Sequence, residues 1–320
     1  IPDKPALEIE ILKNTLTNTY SGLYMVSDLK LGFDQRGEIR WYYQHDGASF
    51  FNKLLNGNFI VSEASKKAFV EVTMMGQQVK KYDVPYQLHH EIVEMANGNF
   101  LVASHSPPGP PYEDVVVEVE RSSGAIVKSW DFNTILDPMR KPLPDTQPGD
   151  WLHINALYYD ETDNTIVISG RSQCAVVKID YSTGNLKWIL GNHKEWKASF
   201  APFLLKPIDS QGNELDTPGF DFWNYGQHAL HRLANGNLLL YDNGDYRGFY
   251  DNPNVPQASY TRVVEYKINE VKKTVEFVWQ FDNKKSVFTK YTGYTQHLGE
   301  TRLAAYMWVT ENTPKILEID

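Results

Sequence analysis

A two-part unit recurs along the chain and limits its fold more than any other feature. The head of the unit is a pair of short apolar runs around Asn-Gly-Asn or a similar turn. It occurs at Phe51 to Val61, around Asn56-Gly57-Asn58; at His90, before Asn97-Gly98-Asn99; at His153, before the Asp160 turn; at His228, before Asn235-Gly236-Asn237; and in divergent form around His297. The tail is an apolar run, a glycine turn and a second run that often ends in tryptophan, as in Val115 to Trp130 or Val176 to Trp188. Asn-Gly between apolar runs signals a hairpin, and a type I′ turn is expected because its two central residues need positive φ. Short alternating runs without helical periodicity make the chain all-β.

Two strands in each head and two in each tail make a four-stranded antiparallel blade. Five tails, plus the start of a sixth at Lys315, predict a six-bladed β-propeller. Residues 1–320 are read as a single domain, with an alternating run at Ala6 to Leu12, inside residues 1–20, supplying a strand that closes the first or last blade. Residues 133–150 and 191–227 are far longer than hairpin links, and structureless loops of that length tend to be functional. Trp196, Phe200, Phe203 and Phe222 make residues 191–227 an expected lid over the site.

Composition narrows the partners. A net charge of −9 disfavours nucleic acid and anionic membranes, and no apolar run is long enough to span a bilayer. Cys174 is the one cysteine, so neither a disulfide within the chain nor a cysteine-based zinc site is expected. Ile1 is not a natural start and is not followed by a signal-peptide pattern, which reads as a mature or trimmed form.

The heads also carry chemistry. His90 and His228 each stand seven residues before their Asn-Gly, and His153 opens a third head. In a propeller the first strand of each blade lines the central channel, so these three histidines are expected at one end of it. Arg171, at the far end of the hairpin that His153 opens, arrives at the same edge. Imidazoles and a guanidinium converging in a funnel suit a tetrahedral oxyanion. A metal is disfavoured, because an arginine inside a cationic cluster repels a divalent ion. Structural roles are assigned to His45, His193 and His231, and to His89, which should face away from His90 in a regular strand; His105 lies one residue off the Arg171 register. The run Asp242-Asn243-Gly244-Asp245 lacks the ligand pattern of a calcium loop and reads as a turn at the site-facing end, with Asn243 near the Arg171 register. There is no glycine-rich phosphate loop, so no nucleotide cofactor is implied.

Trp151-Leu-His153-Ile-Asn155, Ser169-Gly-Arg171-Ser-Gln173, Phe220-Asp-Phe with Gln227-His228, and Asp242-Asn-Gly-Asp245 resemble the bacterial aryl-sulfate sulfotransferases, from about Gly32 to the end. The resemblance implies a six-bladed propeller that moves a sulfuryl group from a phenolic sulfate ester to a phenol by a ping-pong route, without a nucleotide donor. It implies a histidine nucleophile in the Gln-His motif, here His228, and sulfuryl binding by His90, His153 and Arg171. Asn155 and Asn243 join these as expected substrate contacts. It further implies export to the periplasm or cell surface, and leaves a homodimer open. The chain departs from the family in having no room for the N-terminal β-sandwich of some members, no cysteine pair near residues 209–216, and less of a final blade after Asp320. Apart from the resemblance, a sulfate or phosphate ester hydrolase and a propeller that only binds anions or proteins are the competing readings. A glycosidase is disfavoured, since no carboxylate pair recurs in blade register.

Overall fold

The computed structural model describes residues 22–27, 30–44, 51–63, 67–105, 114–147, 149–249, 260–299, 301–306 and 315–319. The expected strand at Ala6 to Leu12, and His45, lie outside the described residues. Six sheets, antiparallel except for one parallel strand pair in the fifth, follow one another along the chain, the sheets of a six-bladed β-propeller. The first holds β1 (Tyr24–Val26), β2 (Leu31–Phe33) and β3 (Ile39–Tyr42), and the second β4 (Phe51–Lys53), β5 (Phe59–Ser62), β6 (Ala68–Val72) and β7 (Gln78–Asp83). The third holds β8 (Leu88–Glu94), β9 (Phe100–Ser104), β10 (Val115–Val119) and β11 (Ile126–Asp131), and the fourth β12 (Ile154–Asp160), β13 (Thr165–Gly170), β14 (Ala175–Asp180) and β15 (Leu186–Gly191). The fifth holds β16 (Lys206–Ile208), β17 (His228–Arg232), β18 (Leu238–Asp242), β19 (Arg262–Asn269) and β20 (Thr274–Phe281). The sixth holds β21 (Tyr294–Leu298), β22 (Thr301–Tyr306) and β23 (Lys315–Ile319).

The chain divides into two compact units, Ile1–Leu88 and His89–Asp320. In the first unit the Trp41 ring stacks on Phe59, and its Nε1–H donates to the Met74 carbonyl at 2.8 Å. In the second unit the core lies between adjacent sheets. Trp130, Trp151 and Ile168 pack between the third and fourth sheets, Trp188, Tyr225 and Tyr266 between the fourth and fifth, and Tyr241 and Tyr306 between the fifth and sixth. Covered on both faces, β9, β10, β13 and β14 are buried almost throughout, whereas the edge strand β11 alternates.

The Asn-Gly turns differ from the expected type I′. Only the glycine of each pair has positive φ, 85° at Gly57 and Gly98 and 86° at Gly236. Gly57 N–H donates to the Leu54 carbonyl at 3.0 Å and Leu54 N–H to the Asn58 carbonyl at 2.8 Å, which is a type I turn closed by a glycine bulge. The second asparagine is recruited by a glutamate on the third strand of its blade: Asn58 to Glu71, Asn99 to Glu118 and Asn237 to Glu265, at 2.6 to 2.7 Å. In the fourth sheet the strand position is Lys178 instead, and the turn answers with Asp163 at 2.5 Å.

Residues 191–227 do not run as expected. Trp196, Phe200 and Phe203 pack onto the core between the third and fourth sheets, and β16 pairs in parallel with β20, at the opposite edge of the fifth sheet from β17. Apolar burial at the blade edges therefore claims the aromatics assigned to a lid, and only the end of the segment reaches the start of β17. A different connection, residues 282–293 between β20 and β21, passes close to that start. Within it Gly293 has φ 102°, and a Cβ there would lie 2.1 Å from the Tyr241 ring. Gly293→Ala is therefore expected to cost about 3 kcal/mol of stability, read as a lowered urea midpoint.

Candidate active site

The site is built at the starts of β8, β12 and β17, and the hairpin that joins His153 to Arg171 behaves as its spacing predicts. Arg171 N–H donates to the His153 carbonyl at 3.1 Å, which holds both residues at one edge. Two backbone devices aim the side chains. His90 and His153 adopt left-handed φ, 48° and 54°, and β-bulges place Asn155 and Ala229 as extra residues in β12 and β17. The His90 and His153 rings meet at 4.7 Å between centroids. His228 lies within electrostatic reach of Arg171, His153 and His90, so the structure brings the four together.

His228 is 8% exposed, and its tautomer follows from its neighbours. Asn243 gives its amide N–H groups to the carbonyls of Thr289 and Thr292, each at 2.8 Å. That fixes the amide so that Oδ1 faces His228 Nδ1, 2.7 Å away. An amide oxygen only accepts, so Nδ1 carries the proton and Nε2 the lone pair. Burial pushes the His228 pKa well below 6.5; the Asn243 bond pulls the other way, and Arg171, His153 and His90 add to the depression. The group is thus a neutral imidazole with an unprotonated Nε2, whose lone pair accepts from Thr292 N–H at 3.3 Å.

Arg171 is 6% exposed. Its Nη2 donates to Asp245 Oδ2 at 3.1 Å, its guanidinium lies 4.7 Å from the Tyr291 ring centroid, and its buried Nε has no partner. His153 Nδ1 is 2.7 Å from Asp150 Oδ1, so the carboxylate holds a proton on that nitrogen. Lys290, beside Tyr291, is paired with Asp145. Cys174 is no rival nucleophile, because burial pushes its thiol up to about 12.

Two expected substrate contacts change role. Asn243 has its oxygen on His228 and its nitrogen on two carbonyls, so it positions the imidazole. Asn155 commits Nδ2 to the Gln227 carbonyl at 2.8 Å and keeps only an acceptor, its buried Oδ1, without a partner. It joins β12 to β17 and offers no free donor to an anion. Asp150, Asp245, Tyr291 and Thr292 were not singled out from the sequence. Asp245 did stand inside the Asp242-Asn-Gly-Asp245 run, and Asp150 directly before the Trp151-Leu-His153 run, whereas nothing marked Tyr291-Thr292. Elsewhere, His193 Nε2 lies 2.9 Å from the Leu205 carbonyl, and His231 meets the Tyr294 ring edge-on. Asp242 is a structural carboxylate; burial opposes its charge, but Arg247 and Arg262 outweigh that and hold its pKa low. No group of three or more His, Cys, Asp or Glu among the described residues could hold a metal ion.

Burial also lowers the His231 pKa to about 4, against a small opposing pull from a backbone hydrogen bond. Below pH 6.5 the unfolded chain takes up protons at His228 and His231 while the fold does not. Stability is expected to fall between about pH 6.5 and 4, by up to about 1.4 kcal/mol per pH unit for each histidine. Urea titrations across that range measure it, and His231→Phe should flatten the slope.

Fold and site together define a β-propeller with a buried neutral histidine beside a cluster of nitrogen donors. The chain matches the model of the arylsulfotransferase (ASST) family over residues 8–314 and belongs to that family. It is 31% identical over 319 residues to the arylsulfate sulfotransferase AssT of Lelliottia amnigena, and 30% identical over 321 residues to the AssT of Escherichia coli O6:H1. Each alignment takes in 79% of this chain and 52% of the relative, so the chain spans about half the length of the curated relatives it matches. Among solved structures, a protein of unknown function from Bacteroides caccae shares the fold, with a TM-score of 0.54 and 14% identity over 93% of this chain and 89% of that one.

Proposed function

We propose that the chain is an aryl-sulfate sulfotransferase that moves a sulfuryl group from a phenolic sulfate ester to a phenol through a sulfohistidine at His228. The observation that carries this reading is the Asn243 amide, fixed by two carbonyls so that the His228 proton sits on Nδ1 and Nε2 keeps its lone pair, which sulfur would take over from Thr292 N–H. In the first half-reaction the Nε2 lone pair attacks sulfur, an N–S bond forms, and the S–O bond to the aryl group breaks with its electrons leaving on the phenolate. In the second, the oxygen of an acceptor phenol attacks the same sulfur, the N–S bond breaks, and the lone pair returns to Nε2.

The non-bridging oxygens need donors that are in place before reaction. Arg171 Nε and the imidazole of His153 are available to them, joined by Thr292 N–H once His228 Nε2 bonds to sulfur, while His90 is available to the bridging oxygen. Asp245 and Asp150 hold Arg171 and His153 in place without entering the step. The relatives' printed names support the substrate class, and a periplasmic or cell-surface location accompanies it through the family resemblance. No helix among the described residues is long and apolar enough to cross a membrane.

The test uses a chromogenic aryl sulfate and a phenol with no nucleotide added. Colour release that rises with phenol concentration, with the sulfated phenol appearing in step, is the expected result. Release indifferent to phenol makes the protein a hydrolase, and no release leaves a binding propeller.

A further inference from the structure

His89 and His90 are neighbours in β8, where a regular strand would send their rings to opposite faces. The left-handed φ of His90 breaks that alternation and brings Nδ1 of one ring to 3.2 Å from Nδ1 of the other. At that separation one nitrogen donates and the other accepts, so the pair shares a proton. His89 is 2% exposed, and its ring meets His105 edge-on at 5.0 Å between centroids.

The three site imidazoles differ in the group on Nδ1. His228 has an amide oxygen and His153 a carboxylate, and both of those groups only accept. Each ring is therefore held in one tautomer. His90 has another imidazole, which can accept or donate. With His89 accepting, His90 keeps its proton on Nδ1 while Nε2 gains or loses one, and the partner is a neutral ring rather than a carboxylate.

We propose that His90 carries the proton of the transfer reaction and that His89 is its positioning residue, accepting from His90 Nδ1–H and so directing Nε2 to the reacting oxygen. This rests on the sulfotransferase reading. As the S–O bond breaks, the protonated pair gives the His90 Nε2 proton to the departing phenolate oxygen. His90 is left neutral with its proton on Nδ1, His89 is unchanged, and the charge of the pair falls from +1 to 0. In the second half-reaction the acceptor phenol gives its proton to His90 Nε2 as its oxygen bonds to sulfur, and the pair returns to +1.

Leaving-group dependence separates this role from a structural one. A 4-nitrophenolate is weakly basic and departs with little protonation, whereas an unsubstituted phenolate depends on it. In His89→Phe, kcat/KM for phenyl sulfate, which reports the first half-reaction alone, is expected to fall about 10²-fold and that for 4-nitrophenyl sulfate by less than about 3-fold. His89→Gln, which keeps an acceptor, should recover much of the phenyl sulfate rate. Equal losses on both donors in both variants would mean a merely structural His89 and overturn the proposal. Wild-type protein inactive on every donor would sink the sulfotransferase reading instead. The shared proton is then read by long-range ¹H–¹⁵N spectra of the histidines. A His90 Nδ1 resonance that shifts in His89→Phe supports the pairing, and one that does not shift refutes it without recourse to activity.

Discussion

His228→Ala is expected to lower transfer by about 10⁴-fold or more and to abolish labelling of the protein by a radiosulfate donor supplied without acceptor. The wild type should take up close to one equivalent of label, in a linkage that acid releases and added phenol discharges. The size of the effect follows from the surroundings. Among the described residues, no other group at the site combines a fixed tautomer, an unprotonated nitrogen and burial that suppresses protonation. His153 keeps Nδ1 on Asp150, and the Cys174 thiol stays protonated. What remains in the variant is the donor cluster, which binds the ester but forms no bond to it. The substitution also leaves Asn243 Oδ1 buried without a donor, at a cost of about 1–3 kcal/mol. The urea midpoint is therefore measured alongside, and His228→Gln, whose amide can still donate to Asn243, serves as the folded control. A His228→Ala protein that still accepts label would move the nucleophile elsewhere.

Much of this arrangement is legible in the sequence wherever the determining geometry is local. The Asn-Gly heads and glycine tails yield six sheets because each hairpin is specified within about a dozen residues. The joining of His153 to Arg171 follows because one hairpin carries both. Legibility fails where a partner is distant or the backbone leaves its ordinary wells. Arg171 and Asp245 are 74 residues apart, and no local pattern ties a guanidinium to a particular later carboxylate. Asn243 seemed to be a ligand because its position is near the site; its role depends on the carbonyls of Thr289 and Thr292, 46 and 49 residues on. Strand alternation sent His89 away from His90 until a left-handed φ brought it back. The type I turns escaped for a related reason, since Asn-Gly serves both a two-residue turn and a type I turn with a glycine bulge. The aromatics of residues 191–227 lost their lid role to burial at the blade edges, which hydrophobicity favours but a linear pattern does not locate.

Arg171→Ala is the second large effect, and its partner makes it divisible. Turnover should fall about 10²- to 10³-fold, the loss typical of removing one preorganised donor from a developing anion. Stability should fall as well, because Asp245 is fully buried and loses the guanidinium that faces it, and removing one partner of a buried ion pair costs about 3–5 kcal/mol. A single variant therefore confounds chemistry with folding. Arg171→Ala with Asp245→Ala removes both charges and is expected to regain most of the stability while recovering none of the activity. Asp245→Ala alone leaves Arg171 cationic but untethered, held only against Tyr291, and should lose less turnover than Arg171→Ala. Arg171→Lys should fail to rescue, since a point ammonium cannot keep one edge on Asp245 and turn a second donor to sulfur's oxygens. Should the double variant recover turnover along with its midpoint, Arg171 would be a structural counterion and the oxyanion would have to be held by His153 and Thr292.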